Sequence, residues 1–219
     1  MTEAEFNDKL ARAKVLFDEK LKAAAEKSVP FANYVASKRS GNAIYISGQL
    51  PRDLLDGGKV ITGKADNNDN IFDAKYAAAM CAMQVLLVIG NECIEKKDEW
   101  TGGLGIRCKT EMNFSKIKSC VQLQVFVNSA PDFINQHLVA NGASDLIYEY
   151  LVKSVSRQES CNVMCGAPYL CGDNIINGRK YEARLQHYKN IVAPHTRCAV
   201  GVATLPLGAL VEVSAVFEM

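Results

Sequence analysis

A chain of 219 residues, 48% of them hydrophobic and 22% charged, can bury one sizeable core and is not a disordered polypeptide. Its formal net charge of +1 excludes a general attraction for nucleic acid or for an anionic membrane surface. The longest apolar stretch, AAAMCAMQVLLVIG at 77–90, is shorter than a bilayer span, and the N-terminus mixes Glu3, Glu5, Asp8 and Asp18 with lysines where a secretion signal would be apolar.

The expected location is therefore the cytoplasm, with no membrane partner and with the eight cysteines reduced. Residues 2–27 are expected to form the first helix. Thr2 and Glu5 have the spacing of a capping box, and Phe6, Leu10, Ala13, Phe17, Leu21 and Ala24 recur three or four apart as one stripe. Pro30 closes the segment. Alternation of Ile44 and Ile46 with Tyr45 and Ser47 predicts a strand over 42–51, with Gly48 breaking its side-chain row. A long helix is expected over 67–90, stopped at Gly90-Asn91, and the run 77–90 reads as buried.

Residues 96–115, polar and rich in glycine, read as a surface excursion. The segment 116–128 sets Val121, Leu123, Val125 and Val127 against Gln122, Gln124, Phe126 and Asn128, and predicts a strand. Pro131 opens a third helix reaching to about Leu151, with Asn141-Gly142 as a candidate interruption. Residues 153–194 differ from their surroundings and read as an insertion, with a short helix expected at 181–192. The remainder, 195–216, reads as a terminal β-hairpin turning at Leu205-Pro206-Leu207-Gly208. Together these elements predict an α+β fold with helices packed on one face of a mixed β-sheet.

The hairpin holds two isolated charges. Arg197, Ala199, Gly201 and Ala203 share one side of its first strand; Leu210, Glu212, Ser214 and Val216 share one side of its second. One reading is a cross-strand ion pair, worth little if exposed. The other is a pocket in which the guanidinium grips a small carboxylate through two charge-assisted bonds while the glutamate orients water or carries a proton. His195, two residues before Arg197, is a candidate for the mouth of such a pocket.

At these residues the chain resembles the Rid family of reactive intermediate deaminases, also known as YjgF-type or endoribonuclease L-PSP proteins. The segment HTRCAVGVATLPLGALVEV is similar to the family's C-terminal signature, with Arg197, Leu205-Pro206 and Glu212 in order. NYVASKRSGNAIYISGQLP resembles its opening through Tyr34-Val35, Gly41-Asn42 and Ser47-Gly48-Gln49-Leu50-Pro51. VQLQVFVNSAPDF at 121–133 resembles its middle strand, and NGASDL at 141–146 is similar to a branch with a longer N-terminus. The resemblance covers most of 30–152 and 195–219.

The resemblance implies a chorismate-mutase-like domain over 30–219, with the helix of 1–29 appended and the insertion at about 153–194. It also implies a homotrimer with pockets at subunit interfaces. The implied activity is cofactor-free hydrolysis of reactive enamine and imine acids, such as 2-aminoacrylate and its 2-iminopropanoate tautomer, to a 2-keto acid and ammonia. Carried onto this chain, Arg197 would bind the substrate carboxylate, Glu212 would position water and move protons, and Tyr34 would close the pocket from a neighbouring subunit. Gly48 and Ala199 would offer backbone groups, with Ser47 and Asn128 as further substrate-binding positions. Some members carry a cysteine where this chain has Ala199, which leaves a backbone role alone there.

Competing readings are an endoribonuclease and a non-catalytic ligand-binding or interaction module on the same trimer. The near-neutral charge and a complement of three histidines argue against nucleic acid as a partner. Cys161, Cys165 and Cys171 are spaced C-x3-C-x5-C, which does not match paired zinc knuckles, so no metal site is assigned. Cys81 and Cys120 sit in apolar patterns and are expected in the core.

Overall fold

The first helix, α1 (Glu3–Lys22), begins on the expected capping box. The Thr2 N–H donates to Glu5 Oε2 at 2.7 Å, and the Glu5 N–H donates to Thr2 Oγ1 at 3.3 Å. This computed structural model describes residues 1–22, 33–66, 71–100, 106–164 and 195–219. Phe6, Ala13 and Phe17 of the predicted stripe are buried, and Leu10 and Leu21 pack against the same core.

The second helix, α2 (Ile71–Glu92), is buried on nearly every side from Ala74 to Gly90. By length and composition alone it could cross a membrane, contrary to the expectation from its 14-residue apolar run. In the fold its apolar surface is spent on protein neighbours: the sheet on one side and the other two helices elsewhere. The third helix, α3 (Gln136–Met164), is continuous through Asn141-Gly142, so the expected interruption is absent. Gly142 is there for packing. A Cβ at that position would run into the backbone carbonyl of Lys75 on α2, so glycine lets the two helices approach. Phe17 meets Tyr150 of α3 edge-on at 5.1 Å, and the Tyr150 hydroxyl donates to Asp18 at 2.7 Å, which ties α1 to α3.

Five strands form the main sheet: β1 (Ser37–Ser40), β2 (Ala43–Gln49), β7 (Ser119–Asn128), β8 (Thr196–Val202) and β9 (Val211–Glu218). Their order is β1-β2-β9-β7-β8, with β8 parallel to β7 and every other pairing antiparallel. Ile44, Ile46, Leu123, Val125, Val127, Val211, Val213, Ala215 and Phe217 are buried and form the face beneath the helices. The other face presents Tyr45, Gln124, Phe126, Glu212, Ser214 and Val216. Cys81 and Cys120 are buried as expected, while Cys198 is exposed. The predicted mixed sheet with helices on one face is thus the observed architecture.

Two short strands, β3 (Arg52–Asp53) and β4 (Lys59–Val60), form a small ribbon. The supposed excursion at 96–115 is largely a second hairpin, β5 (Ile94–Trp100) against β6 (Ile106–Met112), paired from Ile94↔Met112 to Trp100↔Ile106. Backbone bonds hold such a ladder whatever its side chains, so a run without apolar alternation gave no signal of it. The expected helix at 181–192 and most of the insertion lie outside the described residues.

The terminal hairpin is also corrected. β8 and β9 share the sheet but are not neighbours, because β7 lies between them. The Leu-Pro-Leu-Gly segment is a 3-10 turn over Pro206–Gly208, closed by the Gly208 N–H donating to the Leu205 carbonyl at 3.1 Å and the Ala209 N–H to the Pro206 carbonyl at 3.1 Å, and it also bonds outward. Gly63 N–H donates to the Gly208 carbonyl at 3.1 Å, Leu210 N–H donates to Ile61 at 3.0 Å, and the Lys64 ammonium donates to Ala203 at 3.2 Å. These bonds carry the chain across the end of β7, so β9 enters on its far side.

Candidate functional site

The register of β7 decides which residues can meet. Arg197 pairs with Leu123, Ala199 with Val125 and Gly201 with Val127, all on the helix-covered face. Glu212 pairs with Phe126 and Ser214 with Gln124, on the open face. Two strand spacings and three residues of offset put the Arg197 and Glu212 Cα atoms about 14 Å apart, with their side chains pointing in opposite directions. Within one chain the cross-strand ion pair is therefore not formed, and the predicted residues divide into two clusters.

The first cluster is built on a β-bulge. Ile46 pairs with Ala215 and Gln49 with Val213, so three steps of β2 oppose two of β9 and the ladder is interrupted at Ser47-Gly48. Gly48 has no side chain where the Glu212 carboxylate lies; a Cβ there would overlap Glu212 Oε1. The carboxylate is thus laid against the backbone of the bulge. It has no hydrogen-bonded or charged partner among the described residues, and burial pushes its pKa above the usual carboxylate range. Ser47 fixes the neighbouring loop: its N–H donates to Ala36 at 3.0 Å and its hydroxyl to Val35 at 2.7 Å. Tyr34 and Val35, next along that loop, are half exposed. Tyr34, Ser47, Gly48 and Glu212 are in this way gathered on one side of the sheet.

The second cluster surrounds Arg197 on the edge strand β8. Its Nη1 donates to Asn141 Oδ1 at 2.8 Å and to Ser144 Oγ at 3.0 Å, and its Nη2 donates to the His137 carbonyl at 3.3 Å. Residues 137, 141 and 144 are spaced i, i+4, i+7 along α3 and share one helix face. Ser144 Oγ also lies 3.0 Å from His195 Nε2. Burial is the main cause holding the His195 pKa below its ordinary value; the Arg197 charge adds to it and Asp145 opposes it. Ala199 stands one step further along the same side of β8, half-buried. Among the described residues β8 is the edge strand of the sheet, with nothing paired to the backbone groups of its outer side.

Asn128 ends β7 and belongs to the frame. Its Nδ2 donates to the Gly63 carbonyl at 2.8 Å and to the Ala209 carbonyl at 3.3 Å, joining the turn after β4 to the crossing segment. The buried Oδ1 has no partner among the described residues. An open groove of about 860 Å³ lined by Lys9, Arg12, Asp53 and Asp56 touches neither cluster. Its central charges already have partners: Lys9 is 3.0 Å from Asp53, and the buried Tyr76 hydroxyl donates to Asp53 at 2.8 Å.

Sequence reasoning missed Asn141 and Ser144. The signal was two polar residues one turn apart among the small residues Ala140, Gly142 and Ala143, but the adjacent glycine drew the reading toward a helix break. It took the β8 register to show that this turn faces Arg197.

The comparisons with known proteins agree with this architecture. No family model matches the chain. A protein of unknown function from Agrobacterium tumefaciens, Atu1372, superposes with a TM-score of 0.55 at 29% identity, over 97% of this chain and 98% of that one. A candidate endoribonuclease from Shewanella oneidensis superposes with a TM-score of 0.56 at 17% identity, over 93% and 99% of the two chains, a likeness of fold. The sheet with helices on one face matches the Rid-type fold. In sequence, the protein TCP17 of Trypanosoma cruzi is 34% identical over 200 residues, which span 91% of this chain and 88% of TCP17. At that identity and coverage, the chain belongs to the family of the Trypanosoma cruzi protein TCP17.

Proposed function

We propose that the chain hydrolyses small carboxylate-bearing imines or enamines, of the 2-iminopropanoate and 2-aminoacrylate type, to a 2-keto acid and ammonia in a pocket completed between copies of a homotrimer. The observation that carries this reading is the division of labour between the two clusters. One holds a guanidinium by part of its donor set, and the other holds a half-buried carboxylate with no partner among the described residues.

Arg197 is exposed in the single chain, where water competes for its donors. A neighbouring copy that laid its open face along the β8 edge would bring the Gly48–Glu212 cluster to the free side of Arg197 and exclude that water. Tyr34 then closes the pocket.

In this scheme Arg197 binds the substrate carboxylate through paired N–H···O bonds. Water adds to the imine carbon as Glu212 takes its proton. Return of a proton to nitrogen lets ammonia leave as the carbonyl forms. A carboxylate whose pKa is raised by burial is a stronger base once ionised, which suits it to this exchange near neutral pH. The imine carbon is already electrophilic, so orientation and one acid–base group suffice and no cofactor takes part.

The test uses a pyridoxal-dependent lyase to generate 2-aminoacrylate in situ. Added protein should accelerate keto-acid and ammonia release, and Arg197→Ala should abolish the acceleration. Full activity in Arg197→Ala contradicts the assignment.

A further inference from the structure

We propose that Asn141 and Ser144 are positioning residues for Arg197, and that His195, acting through Ser144, makes the grip of Arg197 on a carboxylate depend on pH. The proposal rests on the reading above that Arg197 is the carboxylate-binding group.

A guanidinium has five N–H donors. Three of them go to α3, two from Nη1 to Asn141 and Ser144 and one from Nη2 to the His137 carbonyl. Among the described residues Nε–H and one Nη2–H remain without a partner, and these are the donors that bind a carboxylate side-on with two parallel bonds. The contacts to α3 thus do more than attach β8 to the helix. They settle the rotamer of a long side chain before ligand arrives and leave one binding edge uncommitted. That preorganisation lowers the ordering cost of binding.

Ser144 links this head to His195. Its oxygen accepts from Arg197, so its own proton is available to the ring nitrogen of His195 3.0 Å away. A neutral His195 with Nε2 unprotonated accepts that proton, and every group is satisfied. A protonated His195 instead presents an N–H to Ser144 Oγ. The serine then receives two donors, its own hydrogen must turn away, and a second positive charge stands beside the guanidinium.

Among the described residues, the charged groups facing His195 are Arg197 on β8, the strand that His195 leads into, and Asp145 on α3, which lies 3.9 Å from Lys75 of α2. Arg197 opposes His195 protonation and Asp145 favours it. A carboxylate bound to Arg197 would offset the guanidinium charge and make protonation easier. By linkage, carboxylate binding draws a proton onto His195, and affinity rises as pH falls through its titration.

The experiment follows the His195 ring by NMR across pH, with and without pyruvate as the probe, using the full chain and a His195→Gln spectrum for assignment. Pyruvate is expected to move the His195 midpoint upward, and Arg197→Ala should remove that movement. Ser144→Ala should weaken pyruvate roughly tenfold, the worth of one hydrogen bond to a charged group, while Ser144→Thr, which keeps the hydroxyl, restores it. If pyruvate binds in an Arg197-dependent way, but the His195 midpoint stays still and Ser144→Ala binds like the parent, the proposal is overturned and carboxylate binding stands. If pyruvate does not bind, or binds equally well to Arg197→Ala, the carboxylate reading fails and the proposal with it.

Discussion

Substituting alanine at Gly48 and, separately, at Gly142 asks the same chemical question of two different obstacles. At Gly48 the new methyl meets the tip of the Glu212 side chain. A half-exposed glutamate can turn aside, at worst by holding a torsion off its staggered position, which costs about 0.5–1.5 kcal/mol. At Gly142 the methyl meets the Lys75 carbonyl, part of the α2 backbone. The helices must then separate, and overpacking of that kind costs about 1–3 kcal/mol or more, against about 1 kcal/mol regained in helix propensity.

Gly48→Ala is therefore expected to stay within about 1 kcal/mol of the parent in urea unfolding, which is the torsional cost alone. It should nevertheless lose catalysis, because Glu212 has been pushed off the bulge. Its Glu212 pKa, followed by carbon NMR of the carboxyl, should fall back toward the ordinary range as the group regains water. Gly142→Ala should lose about 1–2 kcal/mol net, the upper half of the overpacking cost less the propensity gain, because the obstacle is backbone. A Gly48→Ala protein with an unchanged Glu212 titration would refute the argument that the missing side chain at position 48 makes room for the carboxylate.

Glu212 should also leave a mark on stability. Its folded-state pKa is raised, so the folded protein holds the proton more tightly than the unfolded chain, and stability falls as pH rises from the unfolded value toward the folded one. Glu212→Gln should match the parent near pH 4 and exceed it near pH 7 in denaturation experiments; the opposite order counts against the burial argument. Asp53 works the other way. Burial by itself raises its pKa, but hydrogen bonds from Lys9, Tyr76 and the Leu55 N–H outweigh this and hold it below the usual range. Its contribution is thus present above the unfolded value of about 4 and is lost as pH falls through the folded one. Tyr76→Phe should cost about 1.5–3 kcal/mol at pH 7, the worth of a hydrogen bond to a charged group, and should shrink that acid-side loss in urea titrations. Asn128→Asp replaces a donor that serves two carbonyls with an acceptor, and should destabilise by about 2–3 kcal/mol in the same assay.

What could be read in the chain was what local rules decide. The capping box of Thr2 and Glu5 involves four consecutive residues and formed as expected. The face alternation within β8 and β9 was also legible: Val211, Val213, Ala215 and Phe217 are buried, and Glu212, Ser214 and Val216 are not. The relation between those two strands was not legible, because it depends on β7, which is more than sixty residues earlier in the chain than β8. Interposing one strand moved Arg197 and Glu212 from adjacent strands of an expected hairpin to opposite faces of separated strands. Gly142 shows the same limit. In sequence a glycine after an asparagine marks a stop, but here a neighbouring helix backbone is the reason for it. Tyr34, Ser47, Gly48, Arg197 and Glu212 were legible as parts of one pocket; their division into two clusters, and the α3 side chains that hold Arg197, came only from the tertiary register.

The central claim is that Arg197 of one copy and Glu212 of another complete each site, and co-expressing Arg197→Ala with Glu212→Gln chains tests it directly. Each variant alone should be inactive in the coupled 2-aminoacrylate assay. In randomly mixed assemblies, an interface that joins an intact Arg197 to an intact Glu212 arises about one time in four, so the account predicts recovery of about a quarter of the parent rate. Mixed assemblies as inactive as their parents, with trimers and subunit mixing confirmed, would contradict it.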